Sequence, residues 1–370
     1  MDYKIVMSDR NFNVLEEIQD IASNISWDYN LVGGCGSFSF EVPVRFCEET
    51  FLGGSFNVKI YRKNPSTKDF DLWYQGRIEN KSHNVRGVNE KISVSGSGYQ
   101  SQLKDIIVNQ DYTSSEVSAI VEDVLDTDIV PNTDITYDGG DIISTGFTPD
   151  SIELKDKDGL DVMQTLADIV GSREWGVDKD RKFFFKQRSS TVGFRFPLDG
   201  KVTSFSNDTS SVDIINRVII NGGDVADVPY REVINFEASQ RKWGRRDKVI
   251  SNSAIVTTQV ANQFAESTFA EYKDIVRRAR LEMLDEQLIE TTIPIPMAQV
   301  VAKTVTWGSK KYGTFLYSGR VSYQINRVSY KIDKLGNLVI SLQLGQLRPS
   351  MAEDLSQVEY RLDQLRQITS

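Results

Sequence analysis

One histidine in 370 residues is the sharpest shortage in this sequence. Any Ser-His-Asp or Cys-His nucleophile system would have to be built around His83. Its neighbours Asn80, Lys81, Ser82 and Asn84 are polar, as suits an exposed surface imidazole. Cysteine is almost as scarce. Cys35 and Cys47 lie near neighbouring predicted strands, where free buried thiols are expected in a reducing compartment and a disulfide is the alternative. Together with His83 they lack the C-x-x-C or H-x-x-x-H spacing of a zinc site, so no metal or other cofactor is expected. Long apolar runs are missing too. Val300-Val301-Ala302 and Leu338-Val339-Ile340 fall far short of the roughly 20 residues that cross a bilayer. Met1-Asp2-Tyr3-Lys4-Ile5 has no basic n-region followed by an apolar stretch, so no membrane insertion and no secretory signal are expected, and folding is expected in a cytoplasm.

A basic excess is absent as well. The chain has 43 Lys and Arg against 52 Asp and Glu, a net charge of -9, which disfavours a protein that grips nucleic acid by its phosphates. Phosphate cradles are not evident. Gly34 and Gly36 are followed by Ser39 where a third glycine belongs, Gly96 and Gly98 by Ser101, and no G-x-x-x-x-G-K-[ST] occurs, so these glycines read as turns. Acidic pairs fail the spacing of a calcium loop. Asp126 and Asp128 would need carboxylates at Val130 and Tyr137, and Asp156 and Asp158 one at Leu160. No catalytic residue is assigned, and the chain is read as a non-enzyme.

What is present belongs to a folded, multi-domain chain: 39% hydrophobic residues, 10% aromatic and 26% charged. Residues 1–104 alternate apolar and polar in Ser37 to Val44, Phe56 to Tyr61 and Lys91 to Ser95, with Pro43 hinting at a sheet edge and Gly76 suited to a bulge or tight bend. This is the pattern of a barrel or sandwich. Residues 105–205 read as an α+β unit. Thr113 and Glu116 have capping-box spacing ahead of Val117, Ile120, Val121, Val124 and Leu125, and a second helix runs from Asp158 to a cap at Gly171. A hairpin then joins Glu174–Val177 to Lys182–Phe185. A second β region is expected over 206–245 and 291–347, with a hairpin turn over Asp333 to Asn337. A helical insertion is expected within 246–290, its stripe of Val260, Phe264, Tyr272, Ile275, Val276, Ala279 and Met283 predicting one helix from Thr258 to Gln287. Over 348–370, Met351, Leu355, Val358, Leu362 and Leu365 follow a heptad seam after Pro349. They predict a short coiled coil between chains. The fold class is thus mainly β with α+β insertions: two antiparallel β-barrel-like domains plus a C-terminal coiled-coil helix.

Order and texture resemble the tail-hub family: contractile-phage baseplate hubs, the N-terminal part of siphophage tail-associated proteins and the hub region of type VI secretion spikes. The residues that carry the likeness are Gly33 to Phe40 with Tyr74 to Ile78 for the first barrel and Asp158 to Val162 with Trp175 to Asp178 and Phe183 to Phe185 for the helix-plus-hairpin domain. Ile215 to Ile220 resembles the strand entering the second barrel. The resemblance implies a homotrimer with two barrels per subunit in a pseudo-six-fold ring. Such a ring would cap the tail tube of a virion at the tail tip, contact tube or distal tail proteins and fibre or spike proteins, and let DNA pass without specific binding. The sequence stops after the short coil, so the resemblance does not imply wall degradation. Two other readings compete: a tail-associated cell-wall hydrolase, and a carbohydrate-binding tail module using Trp73, Trp175, Trp243 or Trp307.

Overall fold

The computed structural model describes residues 3–18, 21–44, 56–64, 67–86, 89–188, 192–197, 202–284, 299–304, 319–332 and 336–345. The N-terminal strands are β1 (Tyr3–Ser8), β2 (Val14–Ile18), β3 (Ser23–Asn30), β4 (Val32–Pro43), β5 (Asn57–Lys63), β6 (Phe70–Arg86) and β7 (Asn89–Ser97). A short helical turn over Tyr99–Asp105 leads to β8 (Ile107–Thr113), α1 (Val117–Val124), β9 (Ser151–Asp158), α2 (Gly159–Val170), β10 (Arg173–Val177) and β11 (Phe183–Gln187). Then follow β12 (Val192–Pro197), β13 (Ser204–Ser210), β14 (Arg217–Val225), β15 (Val228–Asn235), α3 (Glu237–Trp243), β16 (Asp247–Ser251) and α4 (Thr258–Tyr272). The last strands are β17 (Val276–Leu284), β18 (Gln299–Thr304), β19 (Gly319–Ile332) and β20 (Leu338–Gly345).

Strands from both ends of the chain share one sheet, whose main path runs β13-β17-β20-β19-β3-β4-β7-β6-β5-β1-β2. The joint is the antiparallel pairing of β19 with β3, from Arg327 opposite Asn30 to Lys331 opposite Ser26. Trp27 of β3 stacks on Tyr330 of β19 at 5.2 Å between ring centroids, and Trp73 meets both rings edge-on. Around them, Phe38, Phe40 and Val42 alternate inward from β4, and Leu338, Ile340, Leu342 and Leu344 from β20, forming the first core. The second core lies under α1, α2 and α4 and includes Trp175, Phe183 and Phe185 of the β10–β11 hairpin with Val218 and Ile220 of β14.

Four expectations need correction. The described strands do not close into two barrels: pairing of β19 with β3 merges the N- and C-terminal strands into one path with free ends at β2 and β13. The helix predicted to reach Gln287 ends at Tyr272, and Val276–Leu284 is a strand. Ala279, Leu281 and Met283 are buried and alternate with Arg278, Arg280 and Glu282, a period of two. Ala279 and Met283 are four apart, a spacing that fits a helical face and a strand face alike. The Thr113 capping box does not form, because Thr113 ends β8 and Glu116 is itself the N-cap residue. The Glu116 carboxylate instead accepts from Ser144 Oγ at 2.6 Å and the backbone N–H groups of Thr145 and Gly146 at 2.7 and 2.8 Å. Pro43 marks no edge. It is the last residue of β4, an interior strand paired with β3 and β7, where the missing N–H costs least.

Other local readings hold. Asp158 caps α2 by accepting from the Asp161 N–H at 2.8 Å, and Gly171 ends it at φ +63°. Asp178 Oδ1 ties the β10–β11 turn by accepting from the N–H groups of Asp180 and Lys182. Opposite Ile332, Leu338 opens β20, as the expected hairpin requires. No helix of the described residues is long and apolar enough to cross a membrane. The heptad residues Met351, Leu355, Val358, Leu362 and Leu365 lie outside the described residues.

Candidate functional site

The two cores meet where β10 lies parallel to β4, with Trp175 opposite Val32, Gly176 opposite Gly33 and Val177 opposite Gly34. Glycine is required on both sides. Gly33 and Gly34 have φ of +101° and +78°, and a Cβ on Gly34 would stand 2.2 Å from the Val177 carbonyl oxygen. A Cβ on Gly176 would stand 2.2 Å from the Gly33 carbonyl carbon. Gly34, read from sequence as part of a turn, therefore lies with Gly33 at a crossing of two strands.

Buried polar groups brace this crossing. Tyr74 Oη donates to the Gly36 carbonyl at 2.7 Å, Tyr99 Oη to Asn57 Oδ1 at 2.8 Å, and Gln102 Nε2 to Asp134 Oδ2 at 2.7 Å. Gln102 Oε1 also accepts from the Asp134 N–H at 3.0 Å. Such satisfied buried bonds fix one arrangement, because breaking either partner leaves a desolvated group behind. Arg181, in the β10–β11 turn, adds a further tie by lying 4.3 Å over the ring of Phe12, from the β1–β2 connection.

Beside the crossing is a cavity of about 240 Å³ between α2, α4 and the start of β10, reached by Val32, Gln164, Arg173, Arg188, Lys248 and Glu271. Its charged groups are already engaged. Arg188 Nη1 donates to Glu271, and its Nε donates to the Arg173 carbonyl at 3.0 Å. The Arg173 guanidinium donates to the carbonyls of Ile143 and Ser144 at 3.4 and 3.3 Å. On the same strand, burial pushes the Glu174 carboxyl up to about 7, partly offset by Lys186 and Arg188. Its Oε2 is buried without a hydrogen-bond partner.

The residues singled out for chemistry do not converge here. His83 stands on β6 with its side chain about half exposed, 4.0 Å from Glu90. Cys35 is a free, fully buried thiol whose pKa burial pushes up, and Cys47 lies outside the described residues. No group of three or more His, Cys, Asp or Glu among the described residues is arranged to hold a metal ion. Trp73 and Trp175 are core residues, Trp243 is half-buried, and Trp307 lies outside the described residues.

The surface is more informative for assembly. β2 is paired only with β1 among the described residues, and Val14, Leu15, Glu16 and Glu17 are all exposed. At the far end, among the described residues, β13 is paired only with β17, and β15 only with β14. The β14–β15 hairpin turns through Ala226 and Asp227, both at positive φ, and exposes the pair Val225 and Val228 at its tip. Open strand edges carry unpaired backbone groups that pair with another chain or must be protected from one.

Comparison with solved structures places this architecture. A tail protein from Neisseria meningitidis MC58 superposes with a TM-score of 0.63 at 11% identity, covering 94% of this chain and 97% of its own. The chain has the fold of phage tail proteins. The 43 kDa tail protein of prophage MuSo2 from Shewanella oneidensis matches with a TM-score of 0.61 at 14% identity, over 94% of this chain and 98% of that one. Prophage tail protein gp18 from Listeria monocytogenes EGD-e matches with a TM-score of 0.56 at 12% identity, over 98% and 100%. No protein-family model and no curated protein sequence matches this chain.

Proposed function

We propose that this chain is a structural hub subunit of a phage or phage-like tail. Three copies form a ring that caps the tail tube at the tip of the virion, contacts tube or distal tail proteins on one side and fibre or spike proteins on the other, and lets DNA through. The observation that carries this reading is the end-to-end match of the fold to three tail proteins, which spans nearly the whole of each chain. Edges of β2 and β13 that no described strand pairs, and a braced junction between the cores, support it, since a ring subunit must be stiff and leave edges for its neighbours. In this reading Met351, Leu355, Val358, Leu362 and Leu365 form a short inter-chain seam that extends an association made by the body of the subunit.

Sedimentation of the purified full-length chain at micromolar concentration tests the proposal. A mass of three chains is expected; a strict monomer under all conditions overturns it.

A further inference from the structure

On this acidic chain one exposed stretch is strongly basic. Residues 241–248 hold Arg241, Lys242, Arg245, Arg246 and Lys248 against one carboxylate, Asp247. Arg241, Lys242, Arg245 and Arg246 are all exposed at the end of α3 and in the turn into β16. The stretch is held rigidly from beneath. Fully buried Asn216 accepts from the Arg246 N–H through Oδ1 at 2.7 Å and donates through Nδ2 to the Gly244 carbonyl at 2.8 Å. The Arg246 carbonyl accepts from the N–H groups of Asn216 and Arg217, both at 3.1 Å. The Arg246 guanidinium has no partner among the described residues. Arg241 has only a loose, exposed contact to Glu237 at 3.6 Å.

A complementary ridge lies elsewhere on the same chain. Glu122, Asp123, Asp126 and Asp128 follow one another on α1 and the turn after it, with no lysine or arginine between them. Their fixed contacts are to neutral donors: Tyr112 Oη to Asp123 at 2.7 Å, Tyr137 Oη to Asp126 at 2.8 Å and Gln110 Nε2 to Asp128 at 2.7 Å. Among the described residues no ion pair joins one ridge to the other.

We propose that the 241–246 ridge of one copy docks on the 122–128 ridge of the next. The inference rests on the ring reading above and names the contact that would close it. A head-to-tail contact between two different patches is the kind that closes a ring of three, satisfying each patch once per subunit. Charge pairs of this kind set register and speed encounter. DNA suits the basic ridge less well. The Trp243 indole N–H is committed to Asp274 at 3.1 Å, Lys242 already lies over one face of its ring at 4.5 Å, and Asp247 and Asp274 interrupt the line of cations.

Charge reversal on the full chain tests the contact. Arg241→Glu with Arg246→Glu, and separately Glu122→Lys with Asp126→Lys, should each weaken self-association at least tenfold while the far-ultraviolet circular dichroism of the folded chain is retained. The four substitutions together should restore it. Wild-type association should weaken from about 50 mM to about 1 M salt, as screening of exposed charges requires. Trimers that form equally well in both reversed variants, or a combined variant that stays as weak as either pair, overturn the ridge contact and leave the ring reading standing. A wild-type chain that never associates sinks the ring reading and the contact with it. Duplex DNA retained by wild type and lost from the Arg241→Glu/Arg246→Glu variant, with self-association unchanged, also overturns the contact.

Discussion

Gly34 on β4 and Glu174 on β10 lie on the two strands of the crossing and make opposite demands on their surroundings. Gly34 must have no side chain. Gly34→Ala forces a Cβ against the Val177 carbonyl at a φ that L-residues avoid, and is expected to cost on the order of 2–4 kcal/mol, read as a lower unfolding midpoint in denaturant. Glu174 must stay neutral to be comfortable where it is. Because burial raises its pKa in the folded chain, its contribution to stability is full below the ordinary carboxylate range and is lost as pH rises toward and through about 7. Melting of the wild-type chain should fall as pH goes from about 5 to about 8, and Glu174→Gln should flatten that slope. A variant that keeps the wild-type slope would show that Glu174 is not its source. Glu116 has the opposite sign. Hydrogen bonds from Ser144 and the Gly146 N–H lower it to about 2, so its contribution is present above the ordinary carboxylate range and is lost only as pH falls toward that value.

At the scale of elements, the seam between β3 and β19 decides whether the chain behaves as one body or as two. Trp27→Ala removes the ring stacked on Tyr330 and should cost about 3–5 kcal/mol. Chemical denaturation should show N- and C-terminal strands losing structure together in the variant. A variant that unfolds only residues before Tyr99 would argue against a shared sheet. Strands in the first hundred residues, the α2 helix with its Asp158 and Gly171 ends, and the β10–β11 hairpin were legible from sequence because local chemistry alone specifies them. The merged sheet was not. Which strand pairs with β3 is set by contacts some 300 residues apart, and alternation in β19 reads the same whichever neighbour it finds. Residues 276–284 were misread for a local reason, since Ala279 and Met283 satisfy both periods. Of the candidate site, Gly33-Gly34 was visible as a pair but its role depends on Gly176, which only the fold brings opposite. The basic run at 241–248 is plain in the sequence yet hidden in a net charge of -9.

For the whole molecule, the fold carries the argument and the assembly is where it must be tested. In the proposed hub the 348–370 seam spans only two heptads, too short to hold chains together alone, so its removal should weaken the proposed trimer without abolishing it, read as a rightward shift of the association curve by sedimentation. Truncation that leaves only monomers would mean that residues 348–370 rather than the subunit body drive assembly. The most direct test of the hub reading is electron microscopy of the purified full-length chain. Class averages of a three-fold ring around a central opening are what the account predicts. Single, unassociated particles at every concentration and salt would contradict it.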